Sequence, residues 1–406
     1  MLQTLRKREA AMPFIMLTVL IDMLAIGLII PVLPALVGAL SGNPADQVYW
    51  YGLAAMSFGL ANFLASPVLG ALSDKFGRRP VLLLGFMGLG VSFFGTALTP
   101  NLWGLIAVRT MGGAMQSNAA IANAYVADIT EPEKRAKRFG LLGAMMGLGF
   151  IVGPVMGGLL GAIDLKLPFW VAGGLAMLNL LYGYFVLPES LPADQRKSLN
   201  WGAFNPVKAF RDLAGLKGVR ALVGVVVFSG LAQFILYTSW VLYNTFKFGW
   251  GPLENGWSLA VVGVVSVIVQ GVLMGRLIKR FGPQRLAVMG LISSVMAYAL
   301  WGAASEGWMM YAVIAFNLLG GTVAASVQSL ISSAADSKSQ GQTLGAVSAL
   351  NGLMAVVAPL IATPLLAAVS HLPQGDWRIG APFYFCALLQ VVSLGLAVRY
   401  FKAHRV

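Results

Sequence analysis

A charged turn, Gly70-Ala-Leu-Ser-Asp-Lys-Phe-Gly-Arg-Arg-Pro80, is wedged between two long apolar runs. A degraded copy, Gly275-Arg-Leu-Ile-Lys-Arg-Phe-Gly-Pro-Gln-Arg285, stands 205 residues further on. Gly70, Leu72, Phe76 and Gly77 recur in register as Gly275, Leu277, Phe281 and Gly282. A repeat near half the chain length, in so apolar a sequence, implies two homologous membrane bundles.

Hydrophobic residues make up 58% of the 406 and charged residues only 11%, where a soluble domain carries roughly 25% charged. Cutting at the charged clusters leaves runs of about 20 residues, each long enough to cross a bilayer core. Twelve spans are expected, near 12–33, 49–72, 80–99, 102–127, 139–162, 168–188, 219–242, 255–278, 285–304, 307–330, 342–369 and 381–401. The expected organisation is an all-α membrane protein with two pseudo-symmetric six-helix bundles. These are residues 1–188 and 219–406, joined by a cytoplasmic linker over 189–218. Within the linker, Pro206 to Leu216 reads as a short amphipathic surface helix, with Val207, Phe210 and Leu213 opposite Lys208 and Arg211.

The net charge of +13 would suit a nucleic-acid partner, but its distribution does not. With both termini cytoplasmic, the inner segments hold Arg6, Lys7, Arg8, Lys75, Arg78, Arg79, Lys134, Arg135, Lys137 and Arg138. They also hold the linker cations, Arg276, Lys279, Arg280, Arg285, Lys338 and the tail. The outer loops keep Lys166, Lys247 and Arg378. That asymmetry is the positive-inside rule, so the charge reports topology. One cysteine, Cys386, excludes an intrachain disulfide. The first apolar run, behind Arg6-Lys7-Arg8, is too long for a signal peptide and reads as an uncleaved span. His371 and His404 read as solvated.

Of fifteen acidic residues, Asp22 alone falls deep in a span, and Arg109 in the fourth span is the one cation similarly placed. An ionisable group at that depth costs roughly 2.5–3.5 kcal/mol and normally faces a cavity or a partner. Counting helical rise puts Asp22 about 15 Å in from one surface and Arg109 about 10 Å in from the other, close enough to meet if their spans share a cavity. A carboxyl out of water favours its neutral form and one beside an arginine its charged form, so relative movement would load and unload a proton. The alternative is a static pair that fixes packing, and for Arg109 anchoring and coupling stand level.

Gln116 and Asn123 follow Arg109 at intervals of seven and are expected on one stripe. Gln233, Tyr237 and Trp240 share a face of the seventh span, and Asn62, Gln270, Asn317 and Asn351 add amides at membrane depth. Together they suggest a cavity of amides and aromatics with little formal charge, or ordinary hydrogen bonds between helices. In the fifth span Gly149, Gly153, Gly157 and Gly161 repeat every four residues, beside Pro154 and Gly158. Such a face admits a neighbouring backbone closely.

The Gly70–Pro80 turn resembles the loop between the second and third helices of the major facilitator superfamily. The fifth-span pattern resembles the helix-5 motif of its antiporters. Nearly the whole chain is similar to the twelve-helix tetracycline/proton antiporters and their drug-exporting relatives. The matching stretches are Gly27-Leu-Ile-Ile-Pro-Val-Leu-Pro34, Ser73 to Leu84, Ala127-Asp128, Phe139 to Gly158, Phe248-Gly-Trp250 and Ser305-Glu-Gly-Trp308. That resemblance implies the major facilitator fold and assigns Asp22 and Arg109 to proton coupling. It makes Gly70, Asp74, Gly77, Arg78, Arg79, Asp128 and Arg135 a cytoplasmic lock, with Asp74 near the start of the eleventh span, Arg78 paired to Asp128 and Arg135 joining the cluster. Ser92, Ser266 and Ser294 stand where the tetracycline antiporters are expected to carry two acidic residues and a histidine. The expected cargo is accordingly a neutral or weakly charged lipophilic compound.

The expected function is proton-coupled export of a small amphipathic or drug-like molecule. The alternatives are transport of a metabolite, siderophore or lipid, and a transport-dead sensor on the same scaffold. No P-loop, metal-ligand cluster or nucleophile–base pair is legible, so neither catalysis, cofactor nor metal is expected, only a proton gradient. The expected partners are the small molecule, protons and lipid, with no nucleic acid, for a monomer in a bacterial inner membrane.

Overall fold

The computed structural model describes residues 11–196, 220–334 and 340–403. The proposed linker helix at 206–216, the cations at 6–8, Lys338 and His404 lie outside the described residues. Within them the chain is helical, and nine helices are long and apolar enough to cross a membrane. One of these, Pro252–Ala303, runs for 52 residues and is two spans joined at Gly282, whose φ of 74° is not helical. A bent pair, Gly307–Phe316 with Gly320–Ser332, turns through 51° and forms another span. The fourth is likewise in two pieces, Leu102–Met115 and Asn118–Ile129. Twelve spans result, and the protein is a multi-span integral membrane protein.

Several ends run past their expected limits. The second span covers Pro44–Phe76, because its polar first turn still continues the helix through Asp46 and Gln47. The first stops at Ile29 and resumes as Leu33–Ser41. Pro31 lies in that gap and lacks the N–H that would continue the ladder.

The sequence repeat is visible in the backbone. Gly77 and Gly282, aligned by the repeat, both take positive φ, 107° and 74°, a region that glycine enters without a Cβ penalty. Trp103 and Trp308, at the starts of the fourth and tenth spans, are 69% and 67% exposed, as suits aromatic side chains at a membrane–water boundary. Both of those spans are broken midway. In the fourth, Gln116 turns extended (φ −92°, ψ 106°), and Asn62 of the second span donates to the Gln116 carbonyl and, at 3.4 Å, to that of Gly113, which also accepts from Gln116 N. In the tenth, Asn317 leaves the helix (φ −83°, ψ 32°) and accepts from Ser293 Oγ at 2.9 Å. Inside a membrane, freed backbone groups are tolerated only where protein or cavity satisfies them.

The chain divides into two compact units. The first comprises Met1–Ser41, Ser57–Phe204 and Gly251–Gly263, and the second Gly42–Met56, Asn205–Trp250 and Val264–Val406. The beginnings of the second and eighth spans thus belong with the opposite half of the sequence. The first unit is built on Ile15, Val19, Leu82, Phe86, Ile121 and Tyr125. The second combines an aliphatic cluster on Leu222, Val225, Leu291 and Val327 with an aromatic one around Trp301.

Candidate functional site

Asp22 is 5% exposed and opens onto a crevice lined by Thr18, Met23, Leu82, Phe86, Asn118 and Met146, among others. The crevice leaves essentially no room even for a water molecule, far from the roughly 300–1,000 Å³ of a drug-sized pocket. It suits a proton rather than a cargo. Asn118 Nδ2 donates to Asp22 Oδ1 at 2.9 Å. One turn earlier, Asn179 of the sixth span donates to the Thr18 carbonyl at 2.9 Å.

Arg109 is not among the residues lining this crevice. It is 8% exposed, and its guanidinium carbon lies over the Phe58 ring, 4.4 Å from the centroid. The pairing of Asp22 with Arg109 expected from depth is therefore corrected: the amide of Asn118 holds the carboxylate. The expected stripe of Arg109, Gln116 and Asn123 also fails, because the break at Gln116–Ser117 interrupts the helical period. Asn123 is exposed and donates to the Ala119 carbonyl of its own helix at 2.8 Å.

Below the crevice the charged turn folds into a tight cluster. Arg78 donates through Nε to Asp128 at 3.0 Å, and through one terminal nitrogen to Asp74 at 2.5 Å and to Ser73 Oγ at 2.7 Å. Ser190 Oγ donates to the same Asp128 oxygen at 3.1 Å. Gly77 N-caps the third span without a side chain, and Glu189 supplies the missing acceptor for the backbone N–H groups of Arg78 (2.8 Å) and Arg79 (3.2 Å). Arg79 reaches the carbonyls of Gly183, at 3.4 Å, and Tyr184. Arg135 donates to the carbonyls of Thr130 (3.3 Å) and Ala127 (3.2 Å), closing the end of Asn118–Ile129. Gly70 has open space where a Cβ would stand. The side chains at the start of the eleventh span, the expected neighbours of Asp74, lie outside the described residues.

The fifth-span glycines meet the first span just past Asp22. A Cβ on Gly149 would lie 3.0 Å from Leu24 N, on Gly153 2.8 Å from Gly27 Cα, and on Gly157 2.7 Å from the Leu28 carbonyl carbon. Gly158 turns instead to the eighth span, where a Cβ would lie 3.1 Å from Leu253 Cα. Pro154 Cδ packs against Gly27.

The other polar positions divide. Tyr237 is 58% exposed, and Gln270 and Asn351 are also exposed. Gln270 sits in a π-helical turn, Ile268–Leu273, a form frequent at functional sites. Gln233 accepts from Tyr298 at 3.4 Å. Trp240, expected at a cavity wall, is 4% exposed and packs edge-on to Trp301 at 5.2 Å and near Phe383 at 6.2 Å. It serves the core, because its neighbours across the unit are themselves large aromatics. Asn62 and Gln116 meet at the break in the fourth span, so they are tied to backbone repair. Among the described residues, no three His, Cys, Asp or Glu side chains converge to hold a metal.

The model of the Major Facilitator Superfamily matches residues 15–359 and 222–405. The chain belongs to the major facilitator superfamily. Within it, the chain is 38% identical to the tetracycline resistance protein of class C from Escherichia coli, over 94% of this chain and 96% of that one. It is 33% identical to the class D protein from Salmonella ordonez, over 90% and 92%. The crystal structure of the nucleoside transporter NupG shares the fold, with a TM-score of 0.78 at 12% identity, covering 97% of this chain and 99% of that one.

Against that family background, the residues overlooked from sequence are Asn118, Asn179, Glu189 and Ser190. Asn118 was signalled by Gln116-Ser117-Asn118, a polar triplet in the middle of an apolar run. Glu189 and Ser190 follow Pro188 and read as linker polarity. Ser92, one of the three serines at expected charged positions, is buried and donates to the Val108 carbonyl at 3.2 Å. Ser294 is 4% exposed and Ser266 half-buried.

Proposed function

We propose that this major facilitator is a secondary active exporter that exchanges protons for small amphipathic, drug-like molecules by alternating access. The observation that carries the proposal is Asp22, a buried carboxylate held by a neutral amide in a crevice too small for cargo. Keeping such a group charged out of water is costly, so it is the group that exchanges a proton, and no other residue lining the crevice is a carboxylate, a histidine or a cation.

Tetracycline-type compounds are the first cargo class to test, because the 38% identical relative bears that resistance in its name. The neutral Ser92, Ser266 and Ser294 favour compounds with little formal charge, and Tyr237, Gln270 and Asn351 offer exposed polar and aromatic contacts. Arg109, on its Phe58 platform, anchors the upper fourth span. The cluster of Asp74, Arg78 and Asp128 acts as the cytoplasmic lock, since several partly buried charged bonds made together in one state bias a two-state equilibrium. As a transporter the protein moves its cargo unaltered, needs no cofactor beyond the proton gradient, and works as a monomer. It sits in a bacterial inner membrane with both termini cytoplasmic.

Everted membrane vesicles test this. Tetracycline or a neutral lipophilic analogue accumulates when the lumen is acid and leaves when a protonophore is added. Accumulation untouched by the protonophore contradicts the proposal.

A further inference from the structure

We propose that Asn118 is the positioning residue through which the charge on Asp22 reaches the cytoplasmic lock, with the half-helix Asn118–Ile129 as the rigid link. This rests on Asp22 being the proton site. The break at Gln116–Ser117 separates this half-helix from Leu102–Met115, and in this proposal it is the hinge about which the half-helix shifts as a separate rod. Its first residue holds Asp22. Ten residues on, about 15 Å along the axis, Asp128 holds Arg78. Between them Ile121, Ala122, Tyr125 and Val126 are buried, which makes the rod a packed body that passes displacement from one end to the other.

The two protonation states grip the rod differently. A charged carboxylate takes a charge-assisted hydrogen bond, roughly twice as strong as a neutral one. It also faces the positive end of the half-helix. Protonation weakens both attractions. Asn118 is suited to report the change: its Oδ1 is buried with no hydrogen-bond partner, so the amide is not committed elsewhere. It rests on Gly85, where a Cβ would stand 2.9 Å from Asn118 Cγ.

The groups facing Asp22 carry no charge. They are Thr18, Val19 and Met23 on its own span, Leu82 and Phe86 on the third, Ala119 and Ala122 on the fourth, and Met146 on the fifth. From the sixth span, Asn179 meets the Thr18 carbonyl. The Asp22 charge is therefore the local variable.

The test is hydrogen exchange at the Arg78 and Arg79 amides, expressed as protection factors across pH, in the full-length protein in lipid nanodiscs. Wild type and every variant are compared in a Glu189→Gln background, because the Glu189 carboxyl accepts from both amides. In the wild type, protection changes about fivefold or more between acid and alkaline pH. Asp22→Asn abolishes the change, and Asn118→Ala reduces it below about twofold, while Asn118→Ser, which keeps a donor, restores part of it. An Asn118→Ala protein with the wild-type pH response overturns the proposal, since a merely structural residue lowers protection equally at all pH. Should Asn118→Ala not fold, Gly85→Ala presses on the same amide from the third span and must flatten the response; a wild-type response there overturns the proposal. If wild type and Asp22→Asn respond alike, Asp22 is not the proton site, and that failure is distinct from one confined to Asn118.

Discussion

Arg78 and Asp128 meet at 3.0 Å, and the same guanidinium reaches Asp74 at 2.5 Å. One arginine therefore ties the end of the second span to the end of the fourth. Its side chain is 11% exposed, so the pair escapes much of the solvent screening that makes surface ion pairs weak. Asp128→Asn should keep the fold but shift the balance between transport states by roughly ten- to a hundredfold, as expected for one charged hydrogen bond worth about 1.5–3 kcal/mol. Cargo-induced proton flux would read the shift. Arg79→Ala, which frees the Gly183 and Tyr184 carbonyls, should instead lower thermal stability.

The two glycines of the charged turn should behave differently. Gly77 combines a φ of 107° with a Cβ position 2.7 Å from the Glu189 carboxyl carbon. Gly77→Ala should cost about 1–3 kcal/mol, read as a fall in melting temperature. At Gly70 a Cβ meets nothing within 4 Å, and Gly70→Ala should leave the melting temperature nearly unchanged. Equal losses at both positions would contradict the account.

The fifth-span glycines offer a similar contrast. Gly153→Ala and Gly157→Ala push against the backbone of the first span and should destabilise by about 1–3 kcal/mol. Gly143→Ala, on an open face of the same helix, should be neutral or slightly stabilising by helix propensity. Thermal unfolding in a single detergent compares all three.

In the loop before the twelfth span, Arg378 hydrogen-bonds the Asp376 carboxyl and holds it at about 2, below its ordinary 3.8. The native state therefore binds this proton less readily than the unfolded chain. The contribution is full above the ordinary carboxylate value and is lost as pH falls towards about 2. Melting temperatures of wild type and Asp376→Asn should differ at neutral pH and converge near pH 2. Convergence above about pH 5 would contradict the assignment.

Much of this was legible in the sequence because membrane spans and a repeat are one-dimensional signals. The alignment of Gly77 with Gly282 foretold matched turns, and a four-residue glycine period marked the face on which Leu24 to Leu28 pack. What the pattern could not carry was the interruption of a helix. The spacing of Arg109, Gln116 and Asn123 is helical only if Gln116 is helical, and its extended backbone dissolves the stripe. Depth likewise fixes how far Asp22 and Arg109 lie along their spans but not around them. The carboxylate turned to Asn118, while the guanidinium turned to Phe58. Trp240 illustrates a third limit, since an aromatic at membrane depth is equally at home in a cavity wall or a core, and only its neighbours Trp301 and Phe383 decide.

Proton exchange in this transporter is proposed to rest on Asp22. The direct measurement is proton flux in proteoliposomes holding a pH gradient and an internal pH dye, with wild type and Asp22→Asn compared as tetracycline-type and neutral lipophilic compounds are added. A cargo is expected to dissipate the gradient through the wild type and not through Asp22→Asn, with both proteins equally folded. Cargo movement that ignores the gradient and survives Asp22→Asn would contradict it, leaving a facilitator in which Asp22 only fixes the packing of the first and fourth spans.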